Sequence, residues 1–319
     1  IGSARYCIEH SIAYAKQRKA FGKTISDFGL IREKLANMAV GIFTGESMAY
    51  RTVGMMDAAI ATLGSHTTDM AEVRKIIDEY AIECSILKVW GSELINYVVD
   101  EMVQIYGGYG FVEEYPAERA YRDSRINRIF EGTNEINRLL TVEMTLKRAM
   151  QGRLNMMGPA MKVQQELMSI PDFGEEDETP FAQEKKLVNN FKKTILLTAG
   201  AAAQKLMMKL ESEQEVLMCI ADMVIDTFVA ESLLLRVMKL SESDSNKQLY
   251  QDILSCYLYD AADRINKKGK DAVNAFAEGD EQRMILMGLK RFTKAQPFNS
   301  KDARRRISDF LIEQRAYTL

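Results

Sequence analysis

The sequence predicts an all-α chain built as two helical bundles, and three observations carry that prediction. Apolar residues recur at intervals of three and four over long stretches, as in Leu30, Ile31, Leu35, Met38, Ile42 and Met48. Proline breaks helix interiors, and the five prolines (Pro116, Pro159, Pro171, Pro180 and Pro297) leave residues 1–115 and 181–296 free for long helices. Period-two alternation bounded by turns is scarce, so almost no strand is expected.

Taken in order, helices are expected over 1–17, 26–63, 67–106, 116–126, 133–152, 182–211, 213–241, 246–277, 280–295 and 301–316. The first, IGSARYCIEHSIAYAKQR, has apolar residues at helical spacing and no capping signal before it. It reads as a helix already under way, so further residues are expected upstream. The second carries the Leu30 to Met48 stripe. The third carries Ile76, Ile77, Tyr80, Ile82, Ile86, Trp90, Leu94 and Val98. Thr133 is a good N-cap for the helix holding Ile136, Leu139 and Leu140. Residues 153–181 hold three of the five prolines, several glycines and the acidic run Glu175, Glu176, Asp177, Glu178. They read as a linker between a first bundle at 1–152 and a second at 182–319. Within the linker, residues 154–168 are Met-rich. They read either as a surface helix touching lipid or a partner, or as a helix lying on its own protein.

Composition narrows the function. Hydrophobic residues at 47% and charged residues at 27% give a globular balance. A net charge of -3 argues against a nucleic-acid partner. The four cysteines, Cys7, Cys84, Cys219 and Cys256, form no CxxC pair and fit a reducing compartment. With His10 and His66 as the only histidines, no His-based metal site is expected. In the second bundle, Asp260, Asp263 and Arg264 read as helix-surface charges. The run Arg304, Arg305, Arg306 reads as a solvated face or an anionic-lipid contact.

Three segments fit poorly with plain bundle packing. In KQRKAFGKTISDF (Lys16 to Phe28), basic residues surround Phe21-Gly22. It is either a basic helix end closed by glycine, or an anion clamp with Arg18 on a phosphate and Phe21 on a flat ring. In QIYGGYGFVEEYPAERAYRDSR (Gln104 to Arg125), Gly107, Gly108 and Gly110 allow positive φ and close backbone approach. It is either a long inter-helix turn or a backbone cradle for part of a cofactor. In RINRIFEGTNEINRLL (Arg125 to Leu140), Glu131 sits on the turn before a helix, beside Phe130 and Gly132. It is either an acidic residue favouring the helix dipole or a catalytic carboxylate.

Together, QRKAFGK, QIYGGYGF and YRDSRINRIFEGTNEINR, in this order and spacing, resemble the C-terminal helical domain of the acyl-CoA dehydrogenase family over residues 1–152. The further bundle at 182–319 resembles the very-long-chain branch. The resemblance implies FAD as cofactor and an acyl-CoA as substrate. It implies α-proton removal by Glu131, β-hydride transfer to the flavin, a trans-2-enoyl-CoA product and reoxidation by an electron-transfer flavoprotein. It also implies that Arg18 and Phe21 touch FAD, often across a subunit interface, and that Gln104, Gly107 and Gly108 hold its adenosine-diphosphate part. Thr133 would be another cofactor contact. Glu135 stands where relatives often carry an amide, and a carboxylate suits phosphates poorly. Phe130 and Gly132 would line the thioester end of the substrate. An α-proton beside a thioester is weakly acidic, so burial of Glu131 against Phe130 and the apolar acyl chain is expected to raise its basicity, with the following helix N-terminus pulling the other way. The following helix N-terminus would place donors near the developing enolate.

The family's N-terminal helical domain and middle β-domain have no counterpart in this sequence, so the chain alone is expected to be inactive. The second bundle is expected to cover the surface that shorter relatives use for tetramers, giving a homodimer. The resemblance places the protein in a bacterial cytoplasm or a mitochondrial matrix. An acyl-CoA oxidase of the same fold, or a non-catalytic helical assembly or membrane-docking module, are the competing readings.

Overall fold

The computed structural model describes residues 1–64, 70–169, 179–241 and 246–319. The acidic run 175–178, Pro171 and the expected helix start at 67–69 lie outside the described residues. Among the described residues the chain is all-α, with twelve helices and one two-stranded hairpin. They are α1 (Gly2–Gln17), α2 (Gly29–Ala61), α3 (Met70–Glu79), α4 (Ala81–Tyr106), α5 (Pro116–Ser124), α6 (Asn134–Met150), α7 (Met157–Met168), α8 (Ala182–Leu206), α9 (Gln214–Leu240), α10 (Lys247–Phe276), α11 (Gly279–Phe292) and α12 (Ser300–Gln314).

Two departures from the expected elements have local causes. The helix expected over 67–106 is broken at Tyr80, which leaves helical geometry (φ -93, ψ 18) and donates its hydroxyl to the Met55 carbonyl of α2 at 3.2 Å. The segment after α1 is a tight hairpin and not a glycine-closed helix end. Its strands β1 (Lys19–Ala20) and β2 (Lys23–Thr24) pair antiparallel, with Lys19 opposite Thr24 and Ala20 opposite Lys23. Phe21 (φ 51) and Gly22 (φ 82) make the two-residue turn, both left-handed as such hairpins demand.

Apolar packing runs through the whole chain. The larger core cluster joins Ile8, Leu35, Phe43 and Val98 of α1, α2 and α4 to Phe191, Leu233, Ile253 and Ile307 of α8, α9, α10 and α12. Small residues let helices approach. A Cβ on Gly41 would lie 2.6 Å from Leu94 Cδ1, and one on Gly45 2.8 Å from the Trp90 ring, so α2 and α4 cross at these two positions. A smaller cluster gathers Val142 of α6, Val163 of α7, Leu197 of α8 and Leu289 of α11. α7 packs against α8 and α11, since a Cβ on Gly288 would fall 2.7 Å from Leu197 Cδ2 and 2.8 Å from Leu167 Cδ2. Its other face leaves Met157, Met161 and Met168 exposed.

Three arginines on α10 and α12 pair with neighbouring helices. Arg264 pairs with Asp226 at 2.7 Å. Arg304 joins Asp260 and Asn37, both at 2.6 Å, and Arg306 grips Asp252 with two bonds of 2.7 Å. Arg304 is thus held between α10 and α2, while Arg305 and Arg306 are exposed, the latter with its guanidinium on Asp252. Among the described residues no helix is long and apolar enough to cross a membrane, and no group of three His, Cys, Asp or Glu could hold a metal ion.

Candidate active site

The predicted residues fall into two groups beside α4. The first lies at its C-terminal end. Gly107 takes φ 60 there and donates its N–H to the carbonyls of Gln104 and Val103, closing the helix. A 3₁₀ turn over 107–111 follows. Gly110 is needed for a different reason: a Cβ there would sit 2.6 Å from the Val103 carbonyl oxygen. Gly108 has neither positive φ nor a close neighbour, so conformation alone does not require glycine. Gln104, Gly107 and Gly108 are exposed.

Beside this turn opens a cleft of about 720 Å³, lined in part by Tyr14, Arg18, Tyr106, Gly107, Gly108, Tyr109 and Tyr115. Tyr14 stacks on Tyr106 with ring centroids 4.0 Å apart, and Tyr115 closes on Tyr109 at 5.0 Å. Burial raises the Tyr106 hydroxyl to about 12. The Arg18 guanidinium lies 5.4 Å over the Tyr109 ring. Phe21 is 96% exposed at the hairpin tip, with its ring against the edge of Phe28. Arg18 and the glycine turn thus share one cleft, while Phe21 stands beside it. Tyr14, Tyr109 and Tyr115 went unnoticed in the sequence. The visible signal was the tyrosine density around YGGYGF and EEY.

The second group surrounds the turn between the 3₁₀ segment 125–128 and α6. Glu131 (φ 57) and Gly132 (φ 78) are both left-handed, which reverses the chain in two residues. Asn137 Nδ2 reaches back from α6 to the carbonyls of Gly132 at 2.9 Å and Thr133 at 3.1 Å. On the other side, Lys88 Nζ donates to the Gly132 carbonyl at 2.6 Å and to Asn134 Oδ1 at 2.7 Å. Desolvation lowers the pKa of this lysine, opposed by the nearby Glu135, Glu131 and Glu93 carboxylates. Thr133 caps α6, accepting from the Ile136 N–H at 3.3 Å. Lys88, Asn134 and Asn137 were missed in the sequence; nothing local distinguishes them from ordinary helix residues.

Two expectations are corrected here. The Glu131 carboxylate is exposed and Phe130 is 47% exposed, so Phe130 does not bury it within this chain. The N-terminus of α6 is also largely satisfied already. Thr133 takes the Ile136 N–H, and the Glu135 carboxylate bonds its own N–H. That bond first, and the Thr133 hydroxyl second, hold Glu135 below the usual carboxylate range. Thr133 and Glu135 are thus engaged with each other.

The two groups are far apart. Lys88 and Gly107 are separated by nineteen residues of one helix, which at 1.5 Å per residue is about 28 Å.

Comparison with known proteins gives the family. The family model described as acyl-CoA dehydrogenase, C-terminal domain, matches residues 1–146, and a second model of the same description matches residues 190–291. A probable acyl-CoA dehydrogenase of Bacillus subtilis is 42% identical over the whole of this chain and 54% of its own length.

The chain belongs to the acyl-CoA dehydrogenase family.

Among solved structures, an acyl-CoA dehydrogenase complexed with FAD from Bacillus anthracis superposes with a TM-score of 0.94 at 44% identity. It is matched over all of this chain and 54% of that one. The very long-chain specific acyl-CoA dehydrogenase of Macaca fascicularis is 44% identical over 43% of this chain and 18% of its own length. The chain thus spans about half the length of the two bacterial relatives, and each match runs over the whole of it.

Proposed function

We propose that this acyl-CoA dehydrogenase family chain is the helical half of a flavoenzyme that oxidises long-chain acyl-CoA to trans-2-enoyl-CoA. The observation that carries this reading is the 131–132 turn. A carboxylate stands exposed on a left-handed residue, and the carbonyl of the next residue, Gly132, accepts from both Asn137 and Lys88. A solvated acidic residue has no need of such a frame; a base that must meet one carbon atom does. Exposure within this chain suits a group completed by further parts of the enzyme and by the acyl chain itself.

Glu131 removes the α-proton of the thioester, with Phe130 and Gly132 flanking the thioester end. FAD, when bound, would supply the acceptor for the β-hydrogen, taken as hydride, so that the two steps together leave one C=C bond. The chain's residues fit such a group. Arg18 offers a fork for phosphate, the tyrosine cleft offers faces for a flat ring, and the exposed glycines at 107 and 108 let a ligand approach backbone. Thr133 and Glu135 fit less well, since the Thr133 hydroxyl already accepts from the Ile136 N–H and the Glu135 carboxylate bonds its own N–H. The separation of about 28 Å along α4 supports placing the cleft, with Phe21 and Gln104, against a second flavin carried by a partner protomer of a homodimer.

The division into bundles at 1–152 and 182–319 joined by 153–181 belongs to this reading. So do an electron-transfer flavoprotein as acceptor and a bacterial cytoplasm or mitochondrial matrix as compartment. The exposed methionines of α7 are compatible with a peripheral membrane or partner contact.

An anaerobic visible-absorbance titration with a long-chain acyl-CoA tests the reading on the full-length protein and on this chain. The full-length flavin should bleach, and the chain alone should show no turnover. Peroxide production in air by the full-length protein would instead support an oxidase.

A further inference from the structure

The frame around Glu131 does not end in the first bundle. Lys88, which holds the Gly132 carbonyl, also bonds Asn134 Oδ1 at 2.7 Å. Asn134 is 2% exposed, and its Nδ2 donates to Glu93 Oε1 at 3.1 Å. Glu93 receives both Nη groups of Arg138, at 2.7 and 2.9 Å. Arg138 Nε donates to Asp222 Oδ1 on α9 at 2.6 Å, and Lys268 Nζ on α10 donates to Asp222 Oδ2 at 2.8 Å. Six links, none longer than 3.1 Å, thus run from α10 to the carbonyl next to Glu131.

The geometry of Arg138 gives this line direction. A guanidinium is rigid and planar, so two bonds to Glu93 and one to Asp222 fix its plane and orient the Glu93 carboxylate. Glu93, together with the Ser92 hydroxyl at 2.9 Å, holds the Asn134 amide nitrogen, and the amide oxygen faces Lys88. A separate clasp also reaches α9: Arg51 of α2 meets Glu231, which Lys192 of α8 also contacts.

We propose that Asp222, in the second bundle, is a positioning residue for Glu131, acting through Arg138, Glu93, Asn134 and Lys88 on the 131–132 turn. This rests on Glu131 being the base. It gives the second bundle a part in proton abstraction as well as in packing.

The test begins with this chain and needs no turnover. In Asp222→Asn, hydrogen exchange of the peptide spanning 129–137 should quicken on the order of tenfold, as local opening of the turn becomes cheaper. In Glu231→Gln, which breaks the separate clasp, exchange there should match the unaltered chain. In the full-length flavin-loaded protein, Asp222→Asn should slow anaerobic flavin bleaching at saturating acyl-CoA by roughly 10- to 100-fold while acyl-CoA affinity holds. Asp222→Glu should recover part of the rate. Should Asp222→Asn not fold, Arg138→Lys replaces it: it keeps the charge but loses the fork, and the same two changes are expected. Exchange at 129–137 that is unchanged, or equally quickened by Glu231→Gln, overturns the proposal. Undiminished bleaching in Glu131→Gln would overturn the assignment of the base, while the exchange result would still judge the coupling on its own.

Discussion

Lys88 shows how much can rest on one side chain. Its ammonium satisfies the Gly132 carbonyl and the Asn134 amide oxygen together, and it brings a positive charge to a neighbourhood holding Glu131, Glu135 and Glu93. In Lys88→Met both acceptors lose that donor and the carboxylates lose their counter-charge. Stability should fall by about 1–3 kcal/mol, read from the denaturant midpoint, and flavin reduction in the full-length protein should slow as the turn loosens. A change confined to stability would mean that the lysine serves packing alone. The sequence could point to Glu131 and Thr133 because turns and caps are written locally: a glycine for positive φ, a threonine before an apolar periodic run. It could not point to Lys88, because a lysine in mid-helix looks the same whether it faces water or, as here, a carbonyl 44 residues further along the chain.

At the scale of elements, close approach decides which substitutions are tolerated. Gly110 lies under the end of α4, and an added Cβ would stand 2.6 Å from the Val103 carbonyl oxygen and 2.9 Å from Tyr106 Cβ. Neither neighbour is a movable side-chain tip, so Gly110→Ala should cost about 1–3 kcal/mol and lower Tm, whereas Gly108→Ala, with open space around it, should not. An equal fall for both would contradict the packing described. Long helices were legible from periodicity, and the boundaries of α1, α9 and α10 fall within a residue or two of those expected. The break at Tyr80 was not, because tyrosine keeps the apolar phase and the reason for the break is a hydroxyl reaching across to α2. The hairpin at 19–24 escaped because two residues per strand leave no alternation to read, and Phe21 is an unusual residue for a left-handed turn position.

At the scale of the molecule, the two halves are held by a shared apolar core and by charged clasps that depend on pH. Burial opposes ionisation of Glu231, but hydrogen bonds and charges from Lys192 and Arg51 outweigh it and hold the carboxyl below its ordinary value. A depressed carboxyl stabilises the fold fully above the unfolded value, near pH 4.3, and loses that contribution as pH falls through the folded one. Acid unfolding should therefore be less steep in Glu231→Gln than in the unaltered chain, in the window below about pH 4.3. Two of the four thiols are inert by the same logic of burial. Cys7 is pushed up to about 11 and Cys256 to about 12, far from reactive thiolates. Hydrogen bonds from Lys268 and Asp222 through Arg138, Glu93, Asn134 and Lys88 reach the carbonyl next to Glu131. The most direct test is Glu131→Gln in the full-length, flavin-loaded protein, followed by anaerobic bleaching with a long-chain acyl-CoA. The account predicts a fall of about 10²- to 10⁴-fold with flavin content and Tm retained; bleaching at the unaltered rate would contradict it.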